Sequence, residues 1–313
     1  TGRPQGLESE YLLIENMTEK LREFKIFLPL YDGIEYIEVG IDSSAVIKKP
    51  EKSLVKPIIF YGTSITQGGC ASRPGMAHTN IISRELDIDC INLGFSGNGR
   101  MELPIAEFIS ELDPMLYIIE CMPNMFPSKN VTNNTIPLVN KIREKNSVAP
   151  IIFVELFVSS TSLLNNNEKD QRIAMNKALK TEYEKMLANG YKNIFYIEGK
   201  NALGFDNEGT VDGVHFTDLG FKTNTEKFAD CALKMMSMDF EATNKVSSGS
   251  GTTQQIIVQQ PSYDIWDALL DVSFMLQNNN SSSSSGSSAK IISSSSDISV
   301  DPQVKNLVVS ICK

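Results

Sequence analysis

Histidine is almost absent. The 313 residues contain two, His78 and His215. Imidazole is the side chain that titrates near neutral pH, so proton-transfer chemistry has few candidates here. The two histidines are far apart and the five cysteines include no CxxC pair, so no zinc ligand set is expected. Cys70, Cys90, Cys121, Cys231 and Cys312 form no evident disulfide ladder; Cys90 and Cys121 sit in apolar runs and read as small buried hydrophobes. Basic residues are in deficit, 29 Lys and Arg against 38 Asp and Glu, for a net charge of −9. A nucleic-acid surface needs a basic stripe to neutralise phosphates, so no nucleic-acid partner is expected, and anionic membranes are disfavoured. No apolar run approaches the roughly 20 residues of a membrane-spanning helix, so no membrane span is expected. There is no signal peptide, and the start at Thr1 fits a processed or cropped terminus. Asn16, Asn130 and Asn133 begin N-x-S/T triplets, which arise often by chance.

What is present is 41% hydrophobic and 21% charged residues, the balance of a globular core. The chain divides into three regions. Residues 1–54 carry short alternating runs around Asp32-Gly33, which reads as a hairpin. So short a β segment buries little alone and is expected to be the end of an accessory β domain. Residues 55–240 alternate apolar strand runs, at 57–62, 90–95, 115–121, 150–157 and 193–199, with helical stretches near 79–86, 103–112, 134–145 and 168–188. A last helix follows Thr217, a suitable N-cap. Continuous apolar strands alternating with helices predict a parallel sheet covered on both faces, with sites beyond the carboxyl ends of its strands. Residues 241–313 are Ser/Asn-rich and too polar to pack, so a mostly disordered tail is expected. Two islands interrupt it: an amphipathic stretch around Trp266 and the strand-like "VKNLVVSIC". Deletion from about Val246 onward is therefore expected to leave the thermal midpoint unchanged.

Four of the loops carry chemistry. "FYGTSITQGG" puts Ser64 directly after the first strand of the α/β region, either as an ordinary polar turn or as a projecting hydroxyl. It is not a phosphate loop, because Gln67 follows the four-residue gap and the lysine is missing. "NLGFSGNG" reads G-x-x-G-x-G, the reverse of the dinucleotide fingerprint; Gly97 can instead expose a backbone N–H to a reacting oxygen. "ECMPNM" offers Asn124, a turn residue or an amide donor, beside Glu120, a carboxylate with no partner legible in sequence. "VDGVHFTDLG" places Asp212 three residues before His215, either a surface turn or an acid–base pair. His78 in "GMAHTN" is the rival base, or a packed or pocket-lining ring, and has no acid close in sequence. Asp218 falls in the first turn of the last helix, where a carboxylate favours the helix dipole over a metal role.

In that order, Ser64, Gly97, Asn124 and Asp212–His215 resemble the four blocks of the SGNH hydrolases, the superfamily of GDSL esterases and lipases. The resemblance spans about Lys56 to Asp239 and is nearest to bacterial members with an N-terminal β-sandwich. It implies a three-layer, flavodoxin-like parallel sheet, no metal or organic cofactor, and a secreted or periplasmic setting. It also implies Ser64 as nucleophile, His215 as base, Asp212 as orienting acid, and an oxyanion hole from Ser64, Gly97 and Asn124. Thr63, His78, Met122 and Met125 are candidate pocket residues. The pattern departs from the family at Thr63, where an acid is usual, and at Met122-Pro123-Asn124-Met125, which keeps only the asparagine of Gly-x-Asn-Asp. The implied activity is hydrolysis of an O-acyl ester, acetyl on a carbohydrate foremost. A lysophospholipase or thioesterase, or an inactive module binding a glycan or a partner, is the alternative.

Overall fold

The computed structural model describes residues 8–18, 20–50, 53, 55–157, 159–204, 206–247, 274–275, 288–291, 298–300 and 307–312. These form two compact units, one from residues 1–52 with 259–313, the other from 53–258. In the first unit the strands before the α/β region are β1 (Glu8–Ile14), β2 (Arg22–Phe24), β3 (Tyr36–Ile41) and β4 (Ile47–Lys48).

The second unit runs β5 (Ile58–Gly62), α1 (Ser64–Gln67), α2 (His78–Leu86), β6 (Cys90–Gly94), α3 (Leu103–Ser110), β7 (Leu116–Glu120), α4 (Ser128–Lys145), β8 (Ile151–Val154), α5 (Asn166–Ala188), β9 (Ile194–Ile197) and α6 (Asp218–Ser247). Its five strands pair in parallel in the order β6-β5-β7-β8-β9. This is the three-layer α/β architecture that the alternating pattern implies. Strand side chains alternate between two cores. Ile59, Tyr61, Tyr117, Ile119, Ile151 and Phe153 pack with the buried face of α3, α4 and α5, through residues such as Ile109, Leu138 and Leu179. Ile58, Phe60, Leu116, Ile118 and Ile152 face Ile82 of α2 and Phe228 and Ala232 of α6.

Helix boundaries follow local chemistry. α5 is capped by Asn165, whose side chain accepts from the Glu168 N–H. Thr217 caps α6 by accepting from the Gly220 N–H at 3.2 Å. α4 begins at Ser128, before the expected 134, because Val131 and Thr135 extend its buried face and Pro127 sets its start. α6 runs to Ser247, past the expected boundary at 240.

The first unit differs from expectation in two ways. Asp32-Gly33 makes no hairpin: β2 and β3 lie in different sheets, and Gly33 lacks the positive φ that a tight Asp-Gly hairpin turn needs. The partners of β3 come instead from the far end of the chain. Those strands are β10 (Phe274–Met275), β11 (Ser288–Ile291), β12 (Ile298–Val300) and β13 (Leu307–Cys312). One sheet has the order β1-β13-β3-β11; in the other, β12 joins β10 to β2 and also pairs with β4. The strand-like island "VKNLVVSIC" is β13, as expected, and β10 to β12 are short strands in the Ser/Asn-rich stretch before it; the Trp266 segment and the intervening stretches lie outside the described residues. The physical reason is that strand pairing satisfies backbone donors and acceptors whatever the side chains, so Ser-rich flanks do not prevent it. Phe24, Ile37 and Val39 are the buried centre of this unit.

Because β13 stands between β1 and β3, deletion from residue 246 is expected to abolish amide exchange protection in β1 and β3. Protection in β5 and β7 should persist. Unchanged exchange in β1 and β3 after deletion would contradict the pairing.

Candidate active site

The parallel register sets Gly62 beside Gly94 on one side and Glu120 on the other, so three chains leave the sheet at one edge. A single turn, α1, crosses that edge at very close range. A Cβ on Gly62 would lie 1.9 Å from Thr66 Oγ1, and one on Gly94 would lie 2.1 Å from the Gln67 nitrogen. Any larger residue at either place would lift the turn off the sheet.

Ser64 opens that turn, after Thr63, whose side chain accepts from the Ile65 N–H. Ser64 is 9% exposed, and its Oγ lies 2.9 Å from His215 Nε2. The other ring nitrogen, Nδ1, is 2.7 Å from Asp212 Oδ2. The second oxygen of Asp212 accepts the backbone N–H of Val214 at 2.9 Å and of His215 at 2.7 Å. Burial pushes the Asp212 carboxyl up, but the hydrogen bonds from the His215 ring and from these two N–H groups outweigh it and lower its pKa to about 2. A carboxylate on Nδ1 fixes the tautomer that leaves Nε2 to accept from a hydroxyl.

Asp212 and His215 are held from both flanks. The Val211 N–H donates to the His215 carbonyl, and Thr210 bridges to Phe216. Asp218, at the start of α6, accepts from the Ser72 N–H at 2.9 Å and the Ser72 hydroxyl at 2.5 Å. Cys70 is an exposed thiol on the same loop, but burial and then the Asp212 charge push it up, away from an activated thiolate.

The glycine loop after β6 is fastened residue by residue. The Phe95 N–H donates to the Gly62 carbonyl at 3.0 Å, and the Ser96 N–H donates to Gln67 Oε1 at 2.9 Å. Gly97 adopts φ 71, and a Cβ built on it would touch nothing within 4 Å, so its backbone faces open space. Its carbonyl accepts from Arg100 Nη2 at 2.9 Å. Asn124 ends a 3₁₀ turn after β7 and donates one amide hydrogen to the Asn98 carbonyl at 2.5 Å. An amide carries two such hydrogens, so that bond ties Asn124 to the glycine loop without exhausting it as a donor.

The pocket candidates need correction. Thr63, His78, Met122 and Met125 are all without exposed surface, so none forms an open wall here. Thr63 caps α1, and the two methionines fill the core between the sheet and α4. His78 is not near an exposed base position: it is sealed among Phe60, Phe221 and Phe228. Gln67 and Arg100, which the motif reading passes over, hold the glycine loop. Glu120 does have partners, Thr66 and His78.

Residues 55–234 match the family model described as the GDSL-like lipase/acylhydrolase family. The chain belongs to that family. A GDSL-like protein from Bacteroides ovatus ATCC 8483 is similar at 36% identity and a TM-score of 0.57, over 60% of this chain and 55% of that one. A salicylyl-acyltransferase from a tetracycline biosynthetic pathway matches at 20% identity and a TM-score of 0.48, over 59% of this chain and 57% of that one. A family two carbohydrate esterase from Clostridium thermocellum, solved with cellohexaose, matches at 15% and 0.45, over 60% of this chain and 66% of that one. The chain thus spans little more than half the length of the first two. No curated protein matches it. Among the described residues of this GDSL-like chain, no helix is long and apolar enough to cross a membrane.

The Asp212 carboxyl gives a pH signature. Its folded pKa lies below its ordinary 3.8, so its stabilisation is fully present above about pH 4 and fades as pH falls through about 2. The stability difference between the parent and Asp212→Asn, from chemical denaturation, should shrink as pH falls from about 4 through about 2. A difference that holds or grows across that window would contradict this assignment.

Proposed function

We propose that the chain is a serine ester hydrolase that works through an acyl-enzyme on short O-acyl esters, acetyl groups on carbohydrates foremost. The observation that carries the reading is the continuous relay from Ser64 Oγ through His215 to Asp212, at 2.9 and 2.7 Å. In the proposed reaction His215 Nε2 takes the Ser64 proton as Oγ adds to the ester carbonyl. Asp212 keeps the ring oriented and stabilises its cation. The N–H groups of Ser64 and Gly97 and the Asn124 amide receive the negative charge that develops on the carbonyl oxygen. Collapse of the tetrahedral adduct breaks the C–O bond to the alcohol, which leaves with the proton from His215. Water, deprotonated by His215, then hydrolyses the acyl-Ser64 ester. The chemistry resides in residues within 55–240, which we assign as the catalytic domain.

The preference for a short acyl group rests on the same resemblance as the carbohydrate part does. The carbohydrate part rests on the resemblance to sandwich-bearing bacterial members of the superfamily.

Ser64→Ala should reduce ester turnover by roughly 10⁵-fold or more, and residual turnover at the parent rate would remove Ser64 from the reaction. Across p-nitrophenyl esters of rising chain length, kcat/KM should be highest for acetyl and fall by about tenfold or more by octanoyl. A maximum at octanoyl would favour the lysophospholipase reading instead. Asn124→Ala, compared per titrated active site, should lower kcat by about a hundredfold with KM little changed. A near-parent kcat would leave Asn124 as a turn residue.

A further inference from the structure

Glu120 is the last residue of β7, and the strand alternation puts it on the same face as Leu116 and Ile118, under α2 and α6. It is 6% exposed. A carboxylate on such a face requires compensation, and two groups supply it. The Thr66 hydroxyl donates to Glu120 Oε2 at 2.6 Å. His78 Nε2 lies 3.3 Å from the same oxygen, with the ring wholly buried. Phe60, Phe221 and Phe228 surround that ring, with centroids 5.4, 5.8 and 5.2 Å away. Neither His78 nitrogen makes a directed hydrogen bond, so its contact with Glu120 is off-axis. The proposed reaction uses none of these three residues.

Their placement bears on Ser64 all the same. α1 is a four-residue helix, too short to be held by its own hydrogen bonds. Thr66 lies two residues after Ser64 and is gripped at both ends. Its hydroxyl is bound to Glu120, and its carbonyl accepts from Asn92 Nδ2 at 2.7 Å. Asn92 Nδ2 also donates to Thr79 Oγ1 at 2.9 Å, the neighbour of His78. Thr66 Oγ1 lies in the space a side chain on Gly62 would fill, two residues before Ser64. The network therefore runs from α2 through β7 to the turn that carries the proposed nucleophile.

We propose that His78, Glu120 and Thr66 are positioning residues that set the Ser64 turn against His215, rather than a pairing that merely neutralises a buried charge. The proposal rests on Ser64 as nucleophile. A displacement of the order of 1 Å at a reacting atom costs about a hundredfold in rate, so a modest relaxation of α1 would be visible in kcat.

The test uses the full chain and reads kcat, KM, the rate of Ser64 labelling by a fluorophosphonate, and the thermal midpoint. Thr66→Val keeps the shape and removes the hydroxyl. It should lower kcat and the labelling rate about tenfold with KM within about twofold, and Thr66→Ser should restore both. Glu120→Met should act like Thr66→Val. The double variant Thr66→Val/Glu120→Met leaves neither hydroxyl nor carboxylate unpaired but still strips His78 of its contact, so its thermal midpoint should rise above that of Glu120→Met without reaching the parent's. Its kcat should nonetheless stay as low as either single variant's, because one shared contact has been removed once. His78→Phe should lower kcat in the parent and have no further effect in Glu120→Met. The proposal is overturned if the double variant regains kcat with stability, if the single losses multiply, or if Thr66→Val lowers only the midpoint. Ser64→Ala keeps the two readings apart. If it retains turnover, the hydrolase reading fails; if it is inactive while Thr66→Val has full kcat, only the positioning proposal fails.

Discussion

The parallel pairing of β5 with β6 and β7 is the constraint on which the candidate site depends. Register aligns Gly62, Gly94 and Glu120 at one edge, and the segments leaving those strands bring Ser64, the Gly97 loop and Asn124 together. None of these groups is near another in sequence. A slip of the pairing would displace all three relative to one another and turn the buried faces of β5 and β7 the wrong way. The same faces hold the two cores, so the hydrophobic term that stabilises the sheet also fixes the site.

Upon that edge the site is assembled from two halves with different supports. The Ser64 half is stiff: α1 lies so close over the sheet that Gly62 and Gly94 have no room for a side chain, and Gln67 and Asn124 tie the glycine loop down. The Asp212–His215 half is more exposed and is held chiefly by its own hydrogen bonds and by the start of α6. Electrostatics follows the same division. The Asp212 charge is stabilised by hydrogen bonds to the loop it orients, whereas the Glu120 carboxyl is buried beneath the turn, bound by Thr66 and in contact with His78 of α2.

Much of this was legible because it is local. Continuous apolar runs such as "PIIFYG" and "MLYIIEC" become β5 and β7 nearly residue for residue. Thr217 caps α6 as its type and place suggest. The Asp212–His215 pair is within one loop, so its spacing carries its geometry. What was not legible is long-range. β13 is legible as the strand-like "VKNLVVSIC", but its pairing with β1 and β3 across nearly the whole chain is not, because backbone pairing leaves no compositional mark. Asp32-Gly33 misled for the complementary reason: a turn signal decides a hairpin only when its two flanks are each other's partners. The contact of Glu120 with His78 was overlooked although a signal existed. A carboxylate in phase with Leu116 and Ile118 on a buried face demands a donor, and the chain has two histidines to offer.

The central claim is that acyl transfer passes through Ser64. Rapid quenching of the protein with p-nitrophenyl acetate, followed by peptide mass spectrometry, addresses it without relying on substitutions. The account predicts an acetyl group on the peptide containing Ser64, appearing within the first turnover and decaying at the deacylation rate. Acetyl on Cys70 or elsewhere at that rate, with Ser64 unmodified while turnover proceeds, would contradict it.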